Sequence, residues 1–182
     1  DATDELAELV DHLQIPVSHS LMGKGAVADD NPCVLGMTGF WGTEFVNAST
    51  RNADWILALG VTFAEADSSS WEEKYTFQIP GTKLMQIDID PAELGRNYPL
   101  EIGAVADLKP ALAALVTAAR KLAPNGVQRP ELLAEIKRNH DEFAAGNAAA
   151  VASDAWPMRP ERILAEAREV LPRDAIITTD VG

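Results

Sequence analysis

Apolar positions along this chain switch between two periods. Leu6, Leu9, Val10 and Leu13 fall three and four apart, which predicts an amphipathic helix over 4–13. A short strand is expected at 15–18. Phe45, Val46 and Ala48 supply the apolar side of a helix over 43–52. From Trp55 to Gly60 the run is apolar without interruption, as in a parallel strand covered on both faces. Residues 83–90 predict another strand. Pro91 can open a short helix over 92–94, because proline suits a first helical turn. A brief strand is expected at 102–105. Asp107 then stands at an N-cap position, ahead of a helix striped by Leu108, Leu112, Leu115, Val116, Ala119 and Leu122. Strands separated by helical segments specify βαβ units and a parallel sheet, so the fold class is α/β.

Residues 124–130 have the proline, glycine and polar character of a linker. A helix over 131–143 follows, with Leu132, Leu133, Ile136 and Phe143 inward. The alanine-rich stretch 144–153 carries little information. A helix over 161–171 has Ile163, Leu164, Ala167, Val170 and Leu171 on one side, and 175–179 reads as a buried strand. The expected organisation is one α/β domain over 1–123, a connector over 124–157, and the start of a second α/β domain over 158–182. Both ends read as cut, because a helical stripe starts almost at once and a core strand stands next to Gly182, whereas domain termini usually lie in exposed linkers.

Composition narrows the function classes. At 47% hydrophobic and 24% charged, the chain is of globular rather than disordered type. No apolar run reaches the ~18 residues of a membrane span. A single cysteine, Cys33, excludes an internal disulfide and fits a reducing compartment, so the cytoplasm is the expected location. The net charge is −13, from 15 basic and 28 acidic side chains. Nucleic acid is thereby excluded as an expected partner, since binding it needs a basic face. Residues 1–60 hold only Lys24 and Arg51 against nine acidic side chains. An anionic ligand there would rely on backbone amides or a helix N-terminus more than on lysines.

Candidate chemistry gathers where strands should end. Gly60 follows the 55–59 strand and opens a polar loop over 62–70. Gly23, Gly25, Gly36, Gly39 and Gly42 cluster after the 15–18 strand, and 36–43 runs into a helix. In open parallel sheets the ligand crevice lies outside the carboxyl ends of the strands. These glycines either admit a ligand close to the backbone or only make turns, and no G-x-G-x-x-G decides between the two. Asp88 and Asp90 could accept hydrogen bonds from ribose hydroxyls, or could cap the following turn. Asp107 reads first as a cap. His12, His19 and His140 have no neighbours at metal-ligand spacing, and Cys33 reads as a packed thiol. Trp41 and Trp71 either pack or stack on a ligand ring, Trp55 starts a core strand, and Ser68 to Ser70 either donate hydrogen bonds or form a loop. No nucleophile elbow, P-loop or zinc-protease motif occurs.

Four segments carry a family resemblance. They are 21–26 (Leu-Met-Gly-Lys-Gly-Ala), 35–43 (with Gly36, Gly39, Gly42 and Thr43), 53–60 (Ala-Asp-Trp-Ile-Leu-Ala-Leu-Gly) and 87–95 (Ile-Asp-Ile-Asp-Pro-Ala-Glu-Leu-Gly). In order and spacing they resemble the central domain of thiamine-diphosphate enzymes, most of all the large subunit of acetolactate synthase. The likeness covers roughly 5–122, and Arg159-Pro160-Glu161-Arg162 with Thr179-Asp180-Val181-Gly182 resembles the start of the C-terminal, diphosphate-binding domain.

The resemblance implies a six-stranded, parallel, Rossmann-like three-layer domain between two catalytic domains. It implies that the family's first strand and glycine loop precede Asp1. The catalytic glutamate would lie in the N-terminal domain, and the Gly-Asp-Gly…Asn motif for Mg2+ and thiamine diphosphate beyond Gly182. The whole enzyme would act on a 2-oxo acid and form a homodimer or homotetramer, and this chain alone would be inactive. In acetolactate synthases the central domain holds FAD. The contacts carried over fall on Ser20, Leu21 and Met22; on Thr38, Gly39, Phe40 and Trp41; on Gly60, Val61 and Thr62; on Asp88 and Ile89; and on Asp107. The family's Gly-Ala-Arg-Phe-Asp-Asp-Arg loop is here Gly60 to Ala66 without either arginine, and its Met-His pair is Phe40-Trp41. Related enzymes use this domain for ADP or for no ligand. Two other readings stand beside this one: a non-thiamine nucleotide-binding module, sirtuin-like or electron-transfer-flavoprotein-like, and a ligand-free assembly scaffold.

Overall fold

The computed structural model describes residues 2–178. Its elements run α1 (Thr3–Leu13), β1 (Val17–His19), β2 (Val34–Met37), a 3-10 turn at Gly39–Trp41, α2 (Glu44–Arg51), β3 (Trp55–Leu59), β4 (Lys83–Asp88), β5 (Ile102–Val105), α3 (Leu108–Leu122), α4 (Pro130–Val151) and α5 (Pro160–Val170). All strand pairs are parallel. The five strands form two sheets, β1-β2 and β3-β4-β5, rather than one six-stranded sheet. The chain divides into compact units at 1–136 and 137–182.

In the first unit the pattern of side chains decides which face of each strand is covered. Alternate residues of a strand point to opposite faces. Ala58 and Leu84 pack with Phe63, Phe77, Ile79 and Tyr98, from the loops that follow β3 and β4, and Ile56 lies against the same cluster. Phe63, Phe77 and Tyr98 meet edge to face, with centroids 5.2 to 6.1 Å apart. Burial pushes the Tyr98 hydroxyl above its ordinary pKa. Leu59 instead joins the cluster of Leu9, Leu112, Val116 and Ala119 between α1 and α3. On the other sheet, Val34 and Cys33 pack with Val10 of α1, while Leu35 packs with Val46 of α2 and Ile136 of α4. Cys33 is the packed thiol expected, and its burial raises its pKa.

Helix ends follow local chemistry. Thr43 caps α2 by accepting from the Val46 amide at 3.3 Å, and Asp107 caps α3 by accepting from the Lys109 amide at 2.8 Å. The Lys109 ammonium also donates to Glu5 of α1 at 2.7 Å. That hydrogen bond holds the Glu5 carboxyl below its ordinary value.

Three sequence expectations are corrected. Residues 91–95 form a turn, not a helix: Asp90 accepts from the Ala92 amide at 2.8 Å and closes an Asx turn before a helix can start. The strand β2 was not anticipated. It is only four residues long, carries Gly36, and has no alternation to mark it. Residues 175–178 form no strand, and Ile176 is exposed, because a strand exists only through ladder bonds to a neighbour and none is offered there among the described residues. Thr179 of that expected strand lies outside the described residues. The helix expected over 131–143 continues through the alanine-rich stretch to Val151, as alanine's high helix propensity allows. In the second unit, α5 has no buried residue, and Arg162 donates to the Ser153 carbonyl at 2.7 Å and to the Asp154 carboxylate.

One polar cluster fixes the turn after β2. Asn47 of α2 brackets Gly39, accepting from its amide at 2.9 Å and donating to its carbonyl at 3.0 Å. Gly39 is obligatory there: its φ is +84°, and a Cβ would stand 2.0 Å from the Ala66 carbonyl oxygen. The Asn47→Ala variant is expected to lose about 1–3 kcal/mol of stability in urea unfolding, because the buried Gly39 amide loses its acceptor while its carbonyl keeps only the Gly42 amide. Leu112→Ala, at a side chain 1% exposed between α1 and α3, is expected to cost about 2–5 kcal/mol in the same measurement. The lowered Glu5 pKa stabilises the fold above the ordinary value of 4.5, and the effect is lost as pH falls through the folded value. Wild type is therefore expected to exceed Glu5→Gln in urea midpoint at neutral pH and to lose that lead on acidification. An equal lead at all pH values would contradict this.

Candidate functional site

The residues singled out from sequence all lie just beyond the carboxyl ends of parallel strands. Ser20, Leu21 and Met22 follow β1. Thr38, Gly39, Phe40 and Trp41 follow β2. Gly60, Val61 and Thr62 follow β3, Asp88 and Ile89 end β4, and Asp107 follows β5. Two hydrogen bonds draw the first two groups toward the loop after β3. The Leu21 amide donates to Asp67 at 3.2 Å, and the Phe40 amide donates to the Ala66 carbonyl at 2.9 Å. The carboxyl ends of the two sheets therefore lie on the same side of the unit.

A cleft opens between the sheets at this end. Ser20, Thr38 and Val61, all anticipated, line it, together with Ser18, His19, Phe63 and Asp67. Its apolar floor comes from Ile56, Leu57, Ala58 and Phe77. Gly60, Asp88, Ile89 and Asp107 do not line this cleft; they continue along the ends of β3, β4 and β5. His19 donates its Nδ1–H to the Ser20 carbonyl, 2.9 Å away, and lines the cleft.

Each candidate makes particular contacts. Thr38 is buried, and its amide donates to the His19 carbonyl at 3.0 Å. Leu21, Met22, Phe40 and Trp41 are exposed, with Met22 at 92%, so they present an apolar surface beside the cleft rather than a core. The ring of Phe40 meets that of Trp41 edge to face at 6.5 Å. Gly60 holds φ +61° and donates to the Ile87 carbonyl at 2.9 Å, which turns the chain sharply out of β3. Asp88 is buried, with one carboxylate oxygen accepting from the Asp90 amide at 2.9 Å. Asp107 spends its carboxylate on the α3 cap. Trp71 is exposed and donates its ring N–H to the Phe63 carbonyl at 2.8 Å. Trp55 is 44% exposed at the strand start, with the Lys83 ammonium 4.9 Å from its ring centroid, so it does not serve as core.

Sequence reasoning missed the residues that hold these loops. Gln86, on β4 and 2% exposed, donates to the carbonyls of Val61 and Glu93 and accepts from the Gly95 amide. A glutamine inside an otherwise apolar strand was the available signal. Asn97 donates to the carbonyls of Thr62 and Phe63 at 3.0 and 3.1 Å. Asp67 lies in a loop that was marked, though not singled out within it.

The electrostatics of the cleft are one-sided. The loop from Val61 to Ser70 carries Glu65 and Asp67 and no lysine or arginine. Lys24, in the loop after β1, is engaged with Asp29. Ribose hydroxyls could donate to Asp88, and a planar ring could lie against Phe40 and Trp41. A diphosphate would meet carboxylates and no cation. The charge of these loops thus does not fit the diphosphate of FAD or ADP. Among the described residues there is no cluster of three metal-ligating side chains, so no Mg2+ site is offered there. No helix among them is long and apolar enough to cross a membrane.

Comparison with known proteins accounts for this arrangement. Residues 1–115 match the family model for the thiamine pyrophosphate enzyme, central domain. The whole chain aligns with a probable acetolactate synthase large subunit of Methanocaldococcus jannaschii at 34% identity, covering 30% of that protein. It aligns with the acetolactate synthase large subunit of Cyanidium caldarium at 28% identity, again over 30% of that protein. Glyoxylate carboligase of Escherichia coli O157:H7 is 30% identical over the whole chain and 30% of its own length. The chain therefore spans 30% of the length of these relatives. By this match over most of its length, with a parallel α/β fold to agree, the chain belongs to the thiamine pyrophosphate enzyme family, and its first unit carries the family's central domain.

Proposed function

We propose that this chain is the central part of an acetolactate synthase-like enzyme that joins or decarboxylates 2-oxo acids. The observation that carries the reading is alignment of the whole chain with acetolactate synthase large subunits, at 34% identity in one case. Bound in the whole enzyme, thiamine diphosphate with Mg2+ would supply the electron sink that decarboxylating or joining 2-oxo acids requires. This chain's own residues are assigned to positioning and support; among the described residues no metal-ligating cluster is found. The domain boundaries proposed are 1–123 for the central domain, 124–157 for the connector and 158–182 for the start of the thiamine-diphosphate-binding domain. The assembly proposed is a homodimer or homotetramer in the cytoplasm. Family membership favours this reading over a sirtuin-like or electron-transfer-flavoprotein-like module.

Within that enzyme the central domain serves structure and, at most, weak nucleotide binding. The proposed ligand contacts are Ser20, Leu21, Met22, Thr38, Gly39, Phe40, Trp41, Gly60, Val61, Thr62, Asp88, Ile89 and Asp107. The carboxylates of Glu65 and Asp67 beside them disfavour a diphosphate. A scaffold without ligand is the second reading, favoured by the same missing cations.

Two measurements test these statements. Incubated with pyruvate, thiamine diphosphate and Mg2+, the chain alone is expected to release no carbon dioxide; turnover would sink the assignment of a supporting role. Titrated at low salt and followed by tryptophan fluorescence, adenosine is expected to bind more tightly than ADP. Asp67→Asn keeps an acceptor for the Leu21 amide and removes a negative charge. It is expected to improve ADP binding about 2–5-fold and to leave adenosine unchanged. Tighter ADP than adenosine binding in the wild type would overturn the charge argument.

A further inference from the structure

The segment that leaves α3 is fastened to the end of α1 by a small clasp. His12 donates its Nε2–H to the Ala123 carbonyl at 2.8 Å, and the His12 carbonyl accepts from the Val127 amide at 2.9 Å. Gln14, at the left-handed C-cap of α1, accepts from the Arg129 amide and donates to the Gln128 side chain at 3.3 Å. Between these contacts Pro124 and Asn125 are the central residues of a tight turn, closed by the Gly126 amide donating to the Ala123 carbonyl at 2.9 Å. Position 126 must be glycine: its φ is +69°, and a Cβ there would stand 2.6 Å from the His12 carbonyl oxygen. Asn125 is exposed, and its side chain has no hydrogen-bond partner among the described residues. Of the seven asparagines in the chain, Asn125 is the only one followed by glycine.

We propose that Asn125-Gly126 is a site of spontaneous modification, at which the side-chain amide is lost and the backbone is rerouted through an isoaspartyl linkage, and that the clasp on α1 holds the reaction back. The Gly126 nitrogen gives its proton to solvent hydroxide and attacks Asn125 Cγ. The Cγ–Nδ2 bond breaks, and the departing nitrogen takes a proton from water and leaves as ammonia. A five-membered succinimide remains. One water then adds and opens the ring at either carbonyl. Breaking the new bond to Cγ gives aspartate; breaking the original peptide bond gives isoaspartate, with the chain running through Cγ. Glycine favours ring closure, because no side chain crowds the attacking nitrogen and its dihedrals are the least restricted. In the clasp that nitrogen has its N–H committed to Ala123, whose carbonyl is also held by His12. The reaction therefore runs from the open turn, and its rate follows the fraction of time the clasp is open. Isoaspartate adds a methylene to the backbone between positions 125 and 126. The Val127 amide then no longer falls opposite the His12 carbonyl, so a clasp opened by the reaction does not close again. Leu132, Leu133 and Ile136 of α4 keep their packing, which confines the slack to 123–129.

Peptide mapping by mass spectrometry tests this on the chain incubated at mildly alkaline pH. Asn125 is expected to convert to the acid ahead of the other six asparagines, with part of the product accepting a methyl group from an isoaspartyl methyltransferase. Conversion is expected to be on the order of 10-fold faster in denaturing guanidinium chloride than in the folded chain, a comparison that needs no variant to fold. Under native conditions His12→Ala, which removes the Nε2 donor, is expected to speed conversion about 3–10-fold, and His12→Gln, which keeps a side-chain N–H, to stay near wild type. Gln14→Ala leaves His12 in place and is expected to move the rate in the same direction as His12→Ala. If Asn125 keeps its amide while another asparagine loses its own, the modification site is wrong. Equal rates in the folded and denatured chain, or unchanged rates in both alanine variants, would overturn the gating by the clasp.

Discussion

Helix α1 is the constraint on which the first unit depends. Its Leu9 packs with Leu112 and Val116 of α3, and its Val10 packs with Val34 and Cys33 beside the other sheet, while Leu6 touches both clusters. Neighbouring positions on one helical face thus reach two separate sheets. Burying each such side chain contributes roughly 1.5–3 kcal/mol. The Glu5 to Lys109 ion pair lies along the same contact, but it is partly exposed and secondary to the apolar packing. Further ties between β1-β2 and β3-β4-β5 come from Phe40 to Ala66 and, from α2, Thr50 to Thr76.

Those loop contacts decide what the carboxyl ends of the strands can present. Gly39 passes so close to Ala66 and Asp67 that no side chain fits, and Asn47 saturates its peptide from the other side. Gln86 does similar service between the loops after β3 and β4. The backbone is therefore held firmly by uncharged polar groups, while the side chains that project from it are apolar or acidic. Such an edge offers a phosphate no cationic partner. The same chain shares its family with enzymes whose reaction needs groups that its described residues do not gather.

Much of the fold was legible because local signals agreed. The stripes of α1 and α3, the Asp107 cap and the apolar run of β3 each follow from short-range chemistry. What was not legible depended on partners distant in sequence. β2 is too short for a period to show, and residues 175–178 have strand composition but no neighbour to pair with. In the site, glycines and acids at strand ends could be found by position, because parallel sheets concentrate ligand sites there. Asn47, Gln86 and Asn97 could not, because their role lies in meeting backbone groups seven to thirty-five residues away.

The sequence by itself determined the α/β class, the family likeness and the acidic character of the candidate site, since each is written in periodicity, ordered motifs or side-chain charge. Tertiary structure alone decided that the strands form two sheets with a cleft between them, that Trp55 is exposed rather than core, and that Phe40 and Trp41 stand exposed beside the loop of Asp67. The physical reason is the range of the interactions. Turn, cap and stripe are settled within a few residues, whereas strand pairing and the burial of a polar group depend on what the rest of the chain brings alongside.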